Sequence, residues 1–158
     1  MINLILIRHG QSVWNLENKF TGWYDAELTD KGIEEAEKAG LLIKKLGIEI
    51  NYGFTSYQTR AIKTFDTILK TSGIKIPNII KAWQLNERHY GGLQGLNKEE
   101  TAKKHGLDQV MVWRRSYDIP PPAQDREDPG HPINSSIYKN LDPSLIPDAE
   151  SLKDTFNR

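Results

Sequence analysis

Leu4-Ile5-Leu6-Ile7-Arg8-His9-Gly10 is the stretch on which the rest of the chain turns. Four aliphatic residues in a row that stop at a cation, an imidazole and a glycine have the pattern of a short parallel strand buried on both faces. In open α/β sheets ligands sit past the carboxyl ends of such strands. Working outward, a long polar loop runs to about Leu28, and Thr29 is placed to cap a helix. Ile33, Ala36, Gly40 and Ile43 recur at helical spacing, and Gly47 closes that helix. A second apolar stretch, Ile48 to Phe54, ends at Thr55-Ser56. A second helix follows, with Ala61, Ile62, Phe65, Ile68 and Leu69 on one face and Gly73 as its stop. Ile79 to Trp83 has the pattern of a third strand and runs into Leu85-Asn86-Glu87-Arg88-His89-Tyr90-Gly91-Gly92. Asn97 and Glu100 have capping-box spacing, which predicts a helix over 98–105, and Val110, Trp113 and Tyr117 continue at helical spacing. The alternation of strands and helices predicts an α/β fold, a mostly parallel sheet flanked by helices, in one domain spanning 1–158.

Composition narrows the partners. The 158 residues carry 21 Lys plus Arg and 21 Asp plus Glu, so no global basic field favours nucleic acid or an anionic membrane. There is no cysteine, which excludes disulfide scaffolds, thiolate metal sites and thiol nucleophiles. No run of ~20 apolar residues is present, so no membrane-spanning helix is expected. The opening run from Met1 to Ile7 is too short for a signal-peptide core, which makes a soluble cytoplasmic protein the expectation. Asn134-Ser135-Ser136 fits a glycosylation acceptor but is expected to be an ordinary loop. Residues 119–148 hold seven of the eight prolines, predicting an irregular and partly mobile surface excursion. Asp148 to Asp154 has the composition of a helix start, with Ser151 and Asp154 at cap spacing, yet the chain stops at Arg158. A helix nucleus with no body is poorly stable alone, so this end is expected to be a cut one.

Three polar clusters fall at strand ends and could carry chemistry. A neutral imidazole nitrogen of His9 can accept a phosphoryl group and hand it on. Arg8 beside it would disfavour the protonated ring, and Gly10 would let backbone approach a ligand. A hydrogen-bonded rim histidine is the competing reading. Arg60 falls in the first turn of the second helix, where the helix dipole disfavours a cation and a bound phosphate would suit both; an ion pair is the alternative. Glu87 could shuttle a proton, or could simply pair with Arg88. Tyr90 could orient an anion or be a half-buried aromatic. Arg114 and Arg115 are adjacent, so an ideal helix points them ~100° apart. Lys98 starts its helix, again a place that suits an anion. Walker loops, Gly-x-Gly-x-x-Gly and His-Glu-x-x-His are all absent, and the four histidines lack metal-ligand spacing.

Together these residues carry a resemblance. Leu6-Ile7-Arg8-His9-Gly10-Gln11-Ser12-x-Trp14-Asn15 resembles the phosphohistidine signature of the histidine phosphatase superfamily. Phe20-Thr21-Gly22-Trp23-Tyr24-Asp25, Leu85 to Gly91, Leu93-Gln94-Gly95-Leu96-Asn97-Lys98 and Trp113-Arg114-Arg115 narrow it to the cofactor-dependent phosphoglycerate mutases. The resemblance spans nearly the whole chain. It implies a mutase-like fold, with His9 as phosphorylated nucleophile and Glu87 as proton donor and acceptor. It implies that Arg8 and Arg60 hold the transferring phosphoryl group. Gly10, Gln11, Ser12, Asn15, Thr21, Gly22, Arg88, His89, Tyr90, Lys98, Arg114 and Arg115 would line the phosphoglycerate. It implies 2,3-bisphosphoglycerate as priming donor, phosphoglycerates as small-molecule substrates, and no metal. Relatives often associate through sheet edges or helix surfaces, which leaves a homo-oligomer open. Gln11 stands where relatives commonly carry Glu. The family's last strands bring a second active-site histidine in a His-Gly-Asn setting, and this chain ends before it. The missing strand belongs beside the first one, so its absence would expose a central edge and remove a phosphoryl contact. A weakly active or inactive relic, and a phosphatase of the same superfamily, are therefore the alternatives to a working mutase.

Overall fold

The computed structural model describes residues 3–158. Met1 and Ile2, part of the run judged too short for a signal peptide, lie outside the described residues. The elements in chain order are α1 (Val13–Leu16), α2 (Asp30–Leu46), β1 (Tyr52–Thr55), α3 (Thr59–Ser72), β2 (Asn78–Lys81), α4 (Lys98–His105), α5 (Leu107–Arg115) and α6 (Leu152–Asn157), with short 3₁₀ turns between. They group into two compact units, Met1–Val13 with Ala26–Trp83, and Trp14–Asp25 with Gln84–Arg158.

The first unit is α/β. Its helices begin and end where local chemistry dictates. The Thr29 hydroxyl accepts the Gly32 N–H at the start of α2, and Gly47 closes it in the left-handed conformation. Gly73 closes α3 in the same way. Ala36, Ile43 and Ile68 form the core between α2 and α3, supported by Ala39, Ile50 and Ile74. Gly40 lets the helices close up, because a Cβ there would meet Thr71 Cβ at 2.9 Å and the Ile68 carbonyl at 3.0 Å. β1 and β2 pair in parallel, with Phe54 opposite Ile80.

Three expectations are corrected here. Leu4–Ile7 forms no strand, and Leu4 and Leu6 are 78% and 84% exposed. A strand exists through ladder bonds to a neighbour, and among the described residues no segment pairs with 4–7. Among the described residues the sheet therefore has two strands where three were expected. On α2 the buried positions are Gly32, Ala36, Gly40 and Ile43, and Ile33 is exposed. On α3 the fully buried stripe is Arg60, Thr64, Ile68 and Ser72, while Ala61, Ile62, Phe65 and Leu69 are half-buried.

The second unit is built on Phe20, Leu93 and Val110, with Tyr90, Ala102 and Trp113 packed against them. The Asn97 side chain accepts the Glu99 and Glu100 N–H groups, so α4 starts and ends as its sequence predicts. Val110 on α5 is buried, whereas Tyr117 lies beyond the helix and is exposed. Residues 119–148 are irregular, as expected, but they are anchored. Tyr138, His131 and Ile146 are buried, and Tyr138 accepts a hydrogen bond from Asn86 at 3.0 Å. Asn134, of the possible acceptor tripeptide, donates to the carbonyls of Arg126 and Asp128. Ser151 and Asp154 form a reciprocal capping box that starts α6. No helix among the described residues is long and apolar enough to cross a membrane.

Candidate active site

In the first unit the candidate nucleophile is held on both sides. His9 is half-buried, and its Nδ1 lies 2.7 Å from the Gly10 carbonyl oxygen. A carbonyl only accepts, so Nδ1 carries the proton and Nε2 keeps its lone pair. Arg60 Nε donates to that Nε2 at 3.3 Å, and Arg60 Nη2 donates to Gln58 Oε1 at 3.0 Å. Arg60 is fully buried in the first turn of α3. Its cation sits at the positive end of a helix dipole, where a phosphoryl group would relieve both. Thr64, one turn on, accepts the Gly10 N–H at 3.1 Å and donates to the Arg60 carbonyl at 2.7 Å. One hydroxyl thus ties the nucleophile's loop to the helix that carries the arginine.

Gly10 is required for a reason other than the one expected. A Cβ there would collide with the Gly32 carbonyl, and one at Gly32 would collide with the Gln11 carbonyl. The close approach is between backbone and α2. Gln11 serves the same junction. Its N–H donates to Glu35 at 2.9 Å, and its carbonyl and side-chain oxygens both accept from the Thr29 hydroxyl. Ser12 is buried and bridges to Leu28. Arg8 is exposed. A cleft of about 80 Å³ opens beside Arg8, His9, Glu35 and Thr64. That is room for a few waters and well short of the roughly 300 Å³ of a small ligand pocket.

In the second unit, cations gather on aromatic faces. The Arg88 guanidinium lies 4.8 Å from the Tyr90 ring centroid. Lys98 Nζ and the Arg114 guanidinium lie 5.8 and 6.0 Å from the Phe20 centroid. Arg88 Nη2 also donates to the Arg114 carbonyl at 2.7 Å, closing the end of α5. Arg114 is half-buried and Arg115 exposed, as the ~100° step between them requires. Thr21 and Gly22 are buried, and Gly22 has φ 58 with no room for a Cβ beside Gln94. Glu87 and Asn15 are half-buried.

His89 departs from its expected place at a ligand. It is fully buried, its Nδ1 accepts the Gly91 N–H at 2.8 Å, and its own N–H donates to Glu150 at 2.8 Å. Burial, followed by the neighbouring His131, pushes its pKa down to about 3. It is a neutral interior histidine in this structure.

Residues 4–131 match the family profile described as Histidine phosphatase superfamily (branch 1). This chain belongs to the histidine phosphatase superfamily. Among curated superfamily relatives, it is 55% identical to the 2,3-bisphosphoglycerate-dependent phosphoglycerate mutase 2 of Lactiplantibacillus plantarum, over 100% of this chain and 69% of that protein. It is 52% identical to the 2,3-bisphosphoglycerate-dependent phosphoglycerate mutase of a Hydrogenobaculum species, over 100% of this chain and 64% of that one. The chain therefore spans about two thirds of the length of these relatives. Among solved superfamily structures, a mycobacterial glucosyl-3-phosphoglycerate phosphatase shares the fold, with a TM-score of 0.62 at 24% identity over 72% of this chain and 51% of that one.

Several residues that brace the candidate site were not singled out by sequence. Thr64 and Gln58 look like ordinary polar residues on a helix start. Gln94 accepts the Trp23 N–H at 2.6 Å and donates to Gln124 at 2.9 Å, bracing the Thr21-Gly22 turn. The Arg60, Thr64, Ile68, Ser72 stripe was the available signal. Arginine and threonine at four-residue spacing beside an apolar face mark a helix whose buried side is partly polar.

Proposed function

We propose that this chain carries the nucleophile and the acid–base group of a phosphoglycerate mutase site, interconverting 2- and 3-phosphoglycerate through phosphorylated His9. The observation that carries the reading is the state of His9. Its Nδ1 proton is committed to the Gly10 carbonyl, and its Nε2 lone pair faces the Arg60 guanidinium. Nε2 attacks phosphorus, the N–P bond forms, and the P–O bond breaks with its electron pair going to the departing oxygen. Glu87 gives that oxygen a proton, which avoids a free alkoxide. In return, the free hydroxyl of a bound phosphoglycerate attacks the phosphorus on His9, its proton passes to Glu87 and Nε2 is released. Nε2 then takes the other phosphoryl group of the bisphosphorylated product to leave the isomer. Arg60 and Arg8 balance the phosphoryl charge, and the Gly10 carbonyl supports the positive charge that develops on the ring.

The cations Arg88, Lys98 and Arg114, with Tyr90, suit the carboxylate and second phosphate of a phosphoglycerate. Ser12, Asn15, Thr21, Gly22 and Arg115 belong to the same reading, as does a place in the cytoplasm. The same donors fit 2,3-bisphosphoglycerate, which when bound supplies the phosphoryl group that primes His9. The close mutase relatives support the choice of glycerate.

The test is to give the purified chain 3-phosphoglycerate with a trace of 2,3-bisphosphoglycerate and follow products. Formation of 2-phosphoglycerate, abolished by His9→Ala, supports the mutase. Sustained phosphate release without isomerised product overturns it in favour of a phosphatase. No product from a folded chain means that these 158 residues are not sufficient for turnover.

A further inference from the structure

Glu87 lies on an irregular stretch between β2 and α4, so no ladder or helix fixes its backbone. A guanidinium from far along the chain does so. Arg158 Nη1 donates to the Gln84 carbonyl at 2.6 Å, and Nη2 donates to the carbonyls of Asn86 at 3.0 Å and Glu87 at 3.2 Å. Glu150 is buried and pairs with the same guanidinium through Nε, and through Nη2 at 2.9 Å. Glu150 also accepts the His89 N–H at 2.8 Å, and its own N–H donates to the His89 carbonyl at 3.0 Å. The peptide is therefore gripped at Gln84, Asn86, Glu87 and His89. The capping box of α6 sets the helix from which Arg158 reaches back, and the guanidinium lies over the Trp23 ring, 5.4 Å from its centroid.

We propose that Arg158 and Glu150 are positioning residues for Glu87, holding residues 84–89 so that the Glu87 carboxyl stays where it can give and take the substrate proton. The proposal rests on the acid–base role given to Glu87 above. The planar fork of arginine spans three carbonyls and a carboxylate at once, which a lysine ammonium cannot. A small displacement of a proton donor is enough to slow transfer steeply.

Two phosphoryl donors separate positioning from general damage. An alkoxide leaving from 2,3-bisphosphoglycerate needs the proton of Glu87, whereas the 4-nitrophenolate leaving from 4-nitrophenyl phosphate does not. Arg158→Lys is expected to slow phosphorylation of His9 by 2,3-bisphosphoglycerate about 10- to 100-fold, within the range of a lost general acid. Transfer from 4-nitrophenyl phosphate should change less than about twofold for the same reason. The double variant Glu150→Gln/Arg158→Gln, which leaves no stranded buried charge, should behave the same way. Equal slowing with both donors, or none with either, overturns the proposal. If the unsubstituted chain accepts a phosphoryl group from neither donor, the phosphoryl-transfer reading on which the proposal rests has failed. Amide exchange of Arg158→Lys then decides the clamp. Acceleration confined to residues 84–89 supports it, and unchanged or uniformly faster exchange overturns it.

Discussion

Mild acid should destabilise this protein through a histidine rather than through its carboxylates. His89 is fully buried and accepts the Gly91 N–H on Nδ1, so protonation would cost both burial and that hydrogen bond. Burial is the largest cause of its low pKa. His131 and Arg158 add to it, Asp148 opposes them, and the result is about 3 against an ordinary 6.5. Above 6.5 neither the folded nor the unfolded chain holds the proton. As pH falls from 6.5 toward 3 only the unfolded chain binds it, so stability is lost across that window and the loss levels off below it. At pH 5 the window has been entered by about 1.5 units, at about 1.36 kcal/mol each, or roughly 2 kcal/mol. His131, whose pKa burial also lowers, adds in the same direction. The assay is urea unfolding between pH 7.5 and 5, followed by tryptophan fluorescence, since Trp23 lies 6.0 Å from the His89 ring. His89→Gln keeps an acceptor for Gly91 and removes the titration. It should lose about 2 kcal/mol less than the unsubstituted chain over that range. Equal losses in the two proteins would refute the reasoning.

Thr64→Val keeps the shape of a buried residue but leaves the Gly10 N–H without its acceptor, which should cost about 1–3 kcal/mol and slow phosphorylation of His9. Thermal unfolding and a single-turnover assay check the two halves, and an unchanged rate would mean that Thr64 does not set the nucleophile's loop. Ser151→Ala removes the cap of α6, at about 1 kcal/mol. Amide exchange should then quicken in α6 and, through Arg158, at residues 84–89, whereas quickening in α6 alone would show that the clamp does not depend on the cap.

What could be foreseen from sequence was local. Thr29, Gly47, Gly73, Asn97 and Ser151 each act within a few residues of themselves, and each ends or starts its helix as expected. That 4–7 forms no strand could not be foreseen in this way, because pairing is decided by a distant partner and the aliphatic run carries no information about one. Buried polar residues misled for a related reason. Arg60 and Thr64 occupy the inner stripe of α3 because they hold His9 and Gly10, so the most apolar face is not the most buried. Gly10 was expected to let backbone approach a ligand closely, and the close approach the structure shows at that position is to Gly32 on α2. The contacts of Arg158 and Glu150 could not be foreseen. Their partners at Gln84 to His89 lie more than 60 residues away, and backbone carbonyls have no sequence signature.

The most direct measurement is the intact mass of the 158-residue chain after incubation with 2,3-bisphosphoglycerate, beside a His9→Ala control. The account predicts a gain of one phosphoryl group that is lost in acid and absent from the control. A folded chain that gains nothing, or one that gains a phosphoryl group equally in His9→Ala, would contradict the assignment of His9 as the nucleophile.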